Sequence, residues 1–234
     1  MQPDPIGILL VDKPSGPTSH DVVHRVRRHF RIKRVGHCGT LDPTATGLLV
    51  LLLGKATKLS ERLMGEDKVY EGALTLGVTT DSHDAVGKIL EQKPVPMLPD
   101  EEIRAAFDSF KGDLLQTPPM LSAKKVEGVP LYKFARRNQE VERRPQLIHV
   151  YRFDILRIGL PEVDFRLACT KGTYVRTICH DIGRKLGCGG HLSRLRRIAS
   201  GDFRIEEACP LSTIEGWSHL ELQDHLINPL EVLR

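Results

Sequence analysis

The sequence predicts a mixed α/β (α+β) domain with a largely antiparallel central sheet flanked by helices, and three observations carry that expectation. Apolar or alternating runs at 7–12, 48–53, 69–76, 147–158 and 163–170 each read as a strand. Between them lie segments whose apolar residues recur at helical spacing. Strands and helices mix without a regular βαβ rhythm, which disfavours an all-parallel sheet.

The elements follow in chain order. GILLVD at 7–12 is closed by Lys-Pro-Ser-Gly-Pro, a strand followed by a loop. Thr18 or Ser19 then caps a helix with Val22, Val23, Val26 and Phe30 on its buried stripe. LLVLLL at 48–53 is apolar on both faces, as in a central strand or a buried helix turn. At 69–76, Tyr70, Gly72, Leu74 and Leu76 share one face, and Glu71 and Thr75 the other. Asp100 is expected to cap a helix carrying Ile103, Ala106, Phe107 and Phe110. Two strands follow, and then Gly172 turns the chain. Thr173 is expected to cap a helix with Val175, Ile178, Ile182 and Leu186 inside and Gly187 as its stop. The only candidate linker is 92–99, with globular-looking sequence on both sides, so residues 1–234 are expected to form one domain.

A hydrophobic content of 40% and a charged content of 27% are those of an ordinary globular protein. No run approaches the length of a membrane span, and the N-terminal residues lack the basic start of a signal peptide. Five scattered cysteines without a CxxC pair suit reduced thiols in the cytoplasm and give no zinc-ligand spacing. The net charge of +4 is unevenly spread. Residues 24–37 hold Arg25, Arg27, Arg28, Arg31, Lys33 and Arg34 and no acid, residues 171–204 are again strongly basic, and the segment 205–234 is acidic. A basic run is often only a solvated helix face. Two in a weakly charged chain favour a nucleic-acid partner.

The stretch GHCGTLDPTATGLL, residues 36–49, holds a single acid, Asp42, among glycines and threonines ahead of an apolar run. A phosphate-cradling loop would want a lysine or arginine here, and a carboxylate would repel phosphate. A Cys–His pair from His37 and Cys38 is disfavoured because neighbours on an extended chain point apart. A capping or turn aspartate and a catalytic aspartate both remain open from the local pattern.

The same stretch resembles the catalytic motif of the TruB family of tRNA pseudouridine synthases. DKPSGPTS (12–19), YEGALTLGVTTDSHDAVG (70–87), QTPPMLSAKKVEGVPLYKFAR (116–136) and KGTYVRTICHDIGRKLGCGGHLSRLRR (171–197) resemble its other blocks, in the family's order, across most of 6–210. The resemblance implies the pseudouridine synthase fold and isomerisation of uridine-55 in the T loop of tRNA, with the target base flipped from its stack. No cofactor and no metal are implied. It gives Asp42 as the reacting carboxylate, Arg176 as its paired arginine, and Tyr70 as the residue stacked on the base near the C5 proton. Tyr174 and Leu195 would line the uracil pocket, and His37 would help hold the flipped nucleotide. Lys13 of the first block, with Arg194, Arg196 and Arg197, is expected to contact the RNA, and Arg25 to Arg34 to flank its cleft with them.

One departure from the family is Leu121, where an aromatic residue is usual before Ser-Ala. Another is length, from which the C-terminal PUA domain of many relatives is expected to be missing. That favours a stand-alone monomer without an obligatory protein partner, acting on the tRNA T stem-loop in the cytoplasm. Residues 124–144 are expected to form a mobile RNA-contacting insert. Two rival readings are a non-catalytic RNA-binding protein or tRNA chaperone, and an aspartate-dependent hydrolase using Asp81 or Asp84 as a second carboxylate.

Overall fold

The computed structural model describes residues 4–137 and 139–231. Its main elements are β1 (Gly7–Lys13), α1 (Ser19–His29), β2 (Val35–Cys38), β3 (Thr46–Leu53), β4 (Lys68–Leu76), α2 (Asp100–Asp108), β5 (Gly112–Gln116), β6 (Gln146–Gly159), β7 (Glu162–Cys169), α3 (Val175–Lys185), β8 (Gly190–Ser200) and β9 (Cys209–Pro210). The chain divides into two compact units, Met1–Val69 with Arg196–Arg234, and Tyr70–Leu195. Both divisions fall inside strands, β4 and β8. The expected linker at 92–99 lies wholly within the second unit.

In the first unit β3 is the central strand. β1 runs antiparallel to it from Gly7↔Leu53 to Lys13↔Gly47. On the other side, β2 pairs antiparallel with Val50 to Leu53, and Arg196 and Arg197 of β8 pair parallel with Thr46 and Gly47. With neighbours on both edges, Leu48 to Leu53 are all buried, which is why the run is apolar on both faces. Alternate residues of β1 and β3 (Ile8, Leu10, Leu48, Val50 and Leu52) form one core with Cys38, Ala56, Leu63 and Phe203. β9 adds parallel to the end of β1. α1 starts at Thr18, whose hydroxyl accepts from the Asp21 N–H while the Asp21 carboxylate accepts from the Thr18 N–H. This reciprocal cap fixes the helix phase, so that Val22, Val23 and Val26 are buried.

The second unit orders its strands β8-β4-β7-β6-β5. β5, β6 and β7 form an antiparallel meander, with Gln146↔Gln116 and Val150↔Cys169 in register. α2 sets Phe107 4.6 Å from Phe153, which packs edge-on to Phe165. Each unit therefore mixes strands with helices, and antiparallel pairs dominate, as the sequence predicts.

Two expected caps are displaced. α2 begins after Pro99, whose φ of −60° and ψ of 144° end the extended chain. Asp100 is therefore the first helical residue and makes no cap bond. It stands with Glu101 and Glu102 in the first turn, where carboxylates favour the helix dipole. Phe110 lies beyond the helix end and is half-buried. α3 is preceded by Tyr174, and the Thr173 hydroxyl donates to the Thr170 carbonyl instead of capping.

Candidate active site

In the first unit, Asp42 sits in the loop joining β2 to β3. Its carbonyl accepts from the Ala45 N–H at 3.1 Å, closing the turn that the Asp-Pro pair starts. A strand follows, so Asp42 caps no helix. The loop is tied on both sides of it. Leu41 exchanges two bonds with the buried Ser19 hydroxyl, at 2.8 and 3.1 Å. The Pro43 carbonyl accepts from the Gly16 N–H and from the Lys13 ammonium.

Lys13 is fully buried, and its ammonium donates to the carbonyls of Pro14, Pro17 and Pro43 at 2.9, 2.8 and 3.1 Å. All three donors are used. The expectation that Lys13 contacts RNA is therefore corrected: it fastens the first block to the Asp42 loop. Burial lowers its pKa to about 8, and the Asp42 charge opposes that shift. His37 on β2 is held below its ordinary pKa by burial, then by the charge of Arg197, and its Nδ1 has no hydrogen-bond partner.

The RLRR run lies on β8, where neighbours alternate between faces. Arg197 is 1% exposed, and its guanidinium donates to the carbonyls of Leu48 at 2.7 Å and Gly39 at 3.1 Å. It is no solvent-facing phosphate contact, which corrects the second of the expected RNA residues. Arg196 is half-buried in a bidentate pair with Asp12, at 3.0 and 2.7 Å. The other basic run lies at the end of α1 and just past it. There His24, Arg25, Arg27, Arg28, Arg31 and Lys33 line a concavity of about 550 Å³.

In the second unit, Arg176 is the second residue of α3 and is 5% exposed. It donates to the carbonyls of Ser82 at 3.3 Å and Leu121 at 2.6 Å, and lies 4.0 Å from the Asp84 carboxylate. Asp84 is itself held by the Ser82 hydroxyl and the Val86 N–H. A carboxylate weighed only for a hydrolase is thus a partner of Arg176. Leu121 enters through its carbonyl, which any residue supplies, so its departure from the aromatic does not remove this contact.

Tyr174 is clasped by a residue that sequence reading missed. The Gln116 side chain accepts from the Tyr174 N–H at 2.8 Å and donates to its carbonyl at 3.0 Å. This amide fixes the backbone of the residue that starts α3, and no side chain caps the helix. The Arg176 guanidinium lies 6.0 Å from the centre of the Tyr174 ring. Tyr70 is buried on β4, and Leu195 is half-buried on β8. Arg194 is exposed and shares Asp164 with Arg157. Within 124–144 stand a small hairpin (Lys125–Val126 with Val129–Pro130) and the helical turn Leu131–Ala135, while residue 138 lies outside the described residues.

Residues 27–175 match the family model "TruB family pseudouridylate synthase (N terminal domain)". The chain belongs to the TruB family. Residues 176–233 match the model "tRNA pseudouridylate synthase B C-terminal domain". A protein of Opitutus terrae named tRNA pseudouridine synthase B is 57% identical over 94% of this chain and 92% of its own length. One of the same name from Syntrophotalea carbinolica is 48% identical over 97% of this chain and 74% of its own. A solved chain from a Cbf5-Nop10-Gar1 complex superposes with a TM-score of 0.73 at 30% identity, over 95% of this chain and 57% of that one. This TruB-family chain is accordingly an isomerase with the pseudouridine synthase fold. No described helix is long and apolar enough to cross a membrane.

Proposed function

We propose that this chain converts uridine-55 in the T loop of tRNA to pseudouridine, with Asp42 as the reacting carboxylate. Its family and the names of its relatives support tRNA pseudouridine synthesis. The observation that carries the role of Asp42 is the loop itself. Buried Ser19 and Lys13 fix Leu41 and Pro43, so the carboxylate between them is held on an otherwise small-residue turn without being the cap of any helix.

In this reading the N1–C1′ bond of uridine breaks, the uracil turns, and C5 bonds to C1′. The proton on C5 leaves and N1 gains one, so the product is an isomer. Asp42 acts as nucleophile or as the base that generates the intermediate. Tyr70 stacks on the uracil near C5, Tyr174 and Leu195 bound its pocket, and Arg176 supplies positive charge. His37, kept neutral by burial, holds the flipped nucleotide by ring contact. Turning the base out costs a few kcal/mol, which phosphate contacts along the α1 basic run offset. A stand-alone cytoplasmic monomer is part of the same reading.

The test is tritium release from a tRNA transcript labelled at C5 of its uridines, with the purified single protein. Wild type releases label, Asp42→Asn releases none above background, and both bind tRNA. Replacing uridine-55 by cytidine abolishes release by wild type. Failure of folded, tRNA-bound wild type to release label overturns the reading, and release that survives the cytidine replacement reassigns the position.

A further inference from the structure

We propose that Arg197 is the positioning residue of the Asp42 loop: its buried guanidinium closes the loop and keeps the loop's carboxylate ionised. This rests on the role of Asp42 proposed above.

The geometry starts with β8. Arg197 pairs parallel with Gly47, and a Cβ on Gly47 would stand 2.3 Å from the Arg197 carbonyl oxygen. Gly47 also has φ +96°, a conformation that side chains rarely adopt. Glycine is thus what lets the Arg197 backbone lie against the end of the loop. From there the side chain reaches back to both limbs. One guanidinium donates to the Gly39 carbonyl ahead of Asp42 and to the Leu48 carbonyl after it. A planar fork can bridge two carbonyls in fixed directions, whereas an ammonium is a point donor on a flexible stem.

The charge matters as much as the fork. The Arg197 guanidinium is buried with its charge and donates to two backbone carbonyls. Two more buried cations share the neighbourhood. A Cβ on Gly39 would meet Arg197 Nη1 at 3.3 Å and Lys68 Cε at 3.6 Å. The Lys68 ammonium is spent on the carbonyls of Met64 and Glu66, and that of Lys13 on Pro14, Pro17 and Pro43.

The titratable groups on β2 add no negative charge. His37 is held neutral, and burial raises the Cys38 thiol to about 11. Of the acids that act on these cations, Asp42 exceeds Asp21 at Lys13, while Glu66 and Asp67 act on Lys68. A loop ringed by buried cations sits at positive potential, and a carboxylate there favours its ionised form. That is the form needed for attack or proton abstraction.

The experiment is the single-turnover rate of label release against pH for wild type, Arg197→Lys, Arg197→Met and Asp42→Asn. Each protein is first melted to verify folding, and rates are taken on the tRNA-bound fraction. Arg197→Lys keeps the charge and loses the fork. Its rate falls roughly ten- to a hundred-fold with the acid limb in place, as for a reacting group displaced by about 1 Å. Arg197→Met loses both, and its acid limb also moves to higher pH. If Arg197→Met does not fold, Arg197→Lys decides. Wild-type rates and profiles from the Arg197 variants, beside an inactive Asp42→Asn, overturn this proposal alone. A loss that follows melting only, with the rate per folded molecule and the acid limb unmoved, overturns it too. Turnover by Asp42→Asn overturns the reading of Asp42 and this proposal with it.

Discussion

The basic run at the end of α1 and the basic run on β8 contain the same residue type at similar density, on elements of different period. On α1, Val22, Val23 and Val26 take the buried stripe, and Arg25, Arg27 and Arg28 rotate away from it toward solvent. On β8 the faces alternate. Arg194 and Arg196 share one, where each meets an aspartate, and Arg197 is carried to the other with Leu195. There it is buried beside β3 and donates to the carbonyls of Leu48 and Gly39. A count of charge per window cannot separate these cases. The period of the underlying element can, because it determines which member of a basic run must enter the core.

The largest effect expected from this contrast is at Gly47, where β8 closes on β3. Gly47→Ala would place a methyl group 2.3 Å from a backbone oxygen at positive φ, with no flexible side chain to give way. A loss on the order of 3–4 kcal/mol is expected, seen as a lower urea midpoint with an unchanged slope. Gly187→Ala is the control. It too has positive φ, +79°, but an added Cβ there meets nothing within 4 Å, so about 1 kcal/mol is expected. Equal losses at the two glycines would mean that strain, not the closeness of Arg197, governs the junction.

The same distinction explains what was legible in advance. Strands and helices with a strong period were readable: β1, β3, the alternation of β4, and the stripes of α1 and α3 all lie where the residues place them. The caps of α2 and α3 were not. Pro99, extended at ψ 144°, precedes the first turn of α2 without a cap bond, and the residue that starts α3 is held by Gln116, distant in sequence and on another strand. The five family-like blocks singled out Asp42, Tyr70 and Arg176 as candidates. The pairing of Asp84 with Arg176 and the buried state of Lys13 and Arg197 were hidden for a common reason. Each depends on which carbonyl or charge the fold brings near, and local pattern carries no record of that.

A smaller effect is expected at the exposed run. Replacing Arg27, Arg28 and Arg31 together by Gln should leave stability nearly unchanged, since surface substitutions usually stay within about 0.5 kcal/mol each. Affinity for tRNA should fall, and the slope of log affinity against log salt should flatten by about 2–3 if all three meet phosphates. Filter binding over a salt series measures both. An unchanged slope would make the α1 run a solvated helix end and leave the RNA backbone to other contacts.

The smallest effect is expected at Arg194, which lies between the two cases. It is exposed, yet it is paired at 2.7 Å with Asp164. Asp164 also accepts from Arg157 at 2.8 Å, and that bond is the first cause of its lowered pKa. Arg194→Ala therefore leaves no carboxylate unpaired, and stability should change by less than about 1 kcal/mol. If Arg194 meets a phosphate, the salt slope flattens by about 1 and affinity weakens alike for all tRNA sequences. If instead the variant binds as wild type, Arg194 belongs with Arg196 as an intramolecular partner of an aspartate. Both arginines on that face of β8 would then be structural, as Arg197 is on the other. The strand would contribute no side-chain phosphate contact from the RLRR run, and the charge that draws RNA would have to come from helix ends and loops.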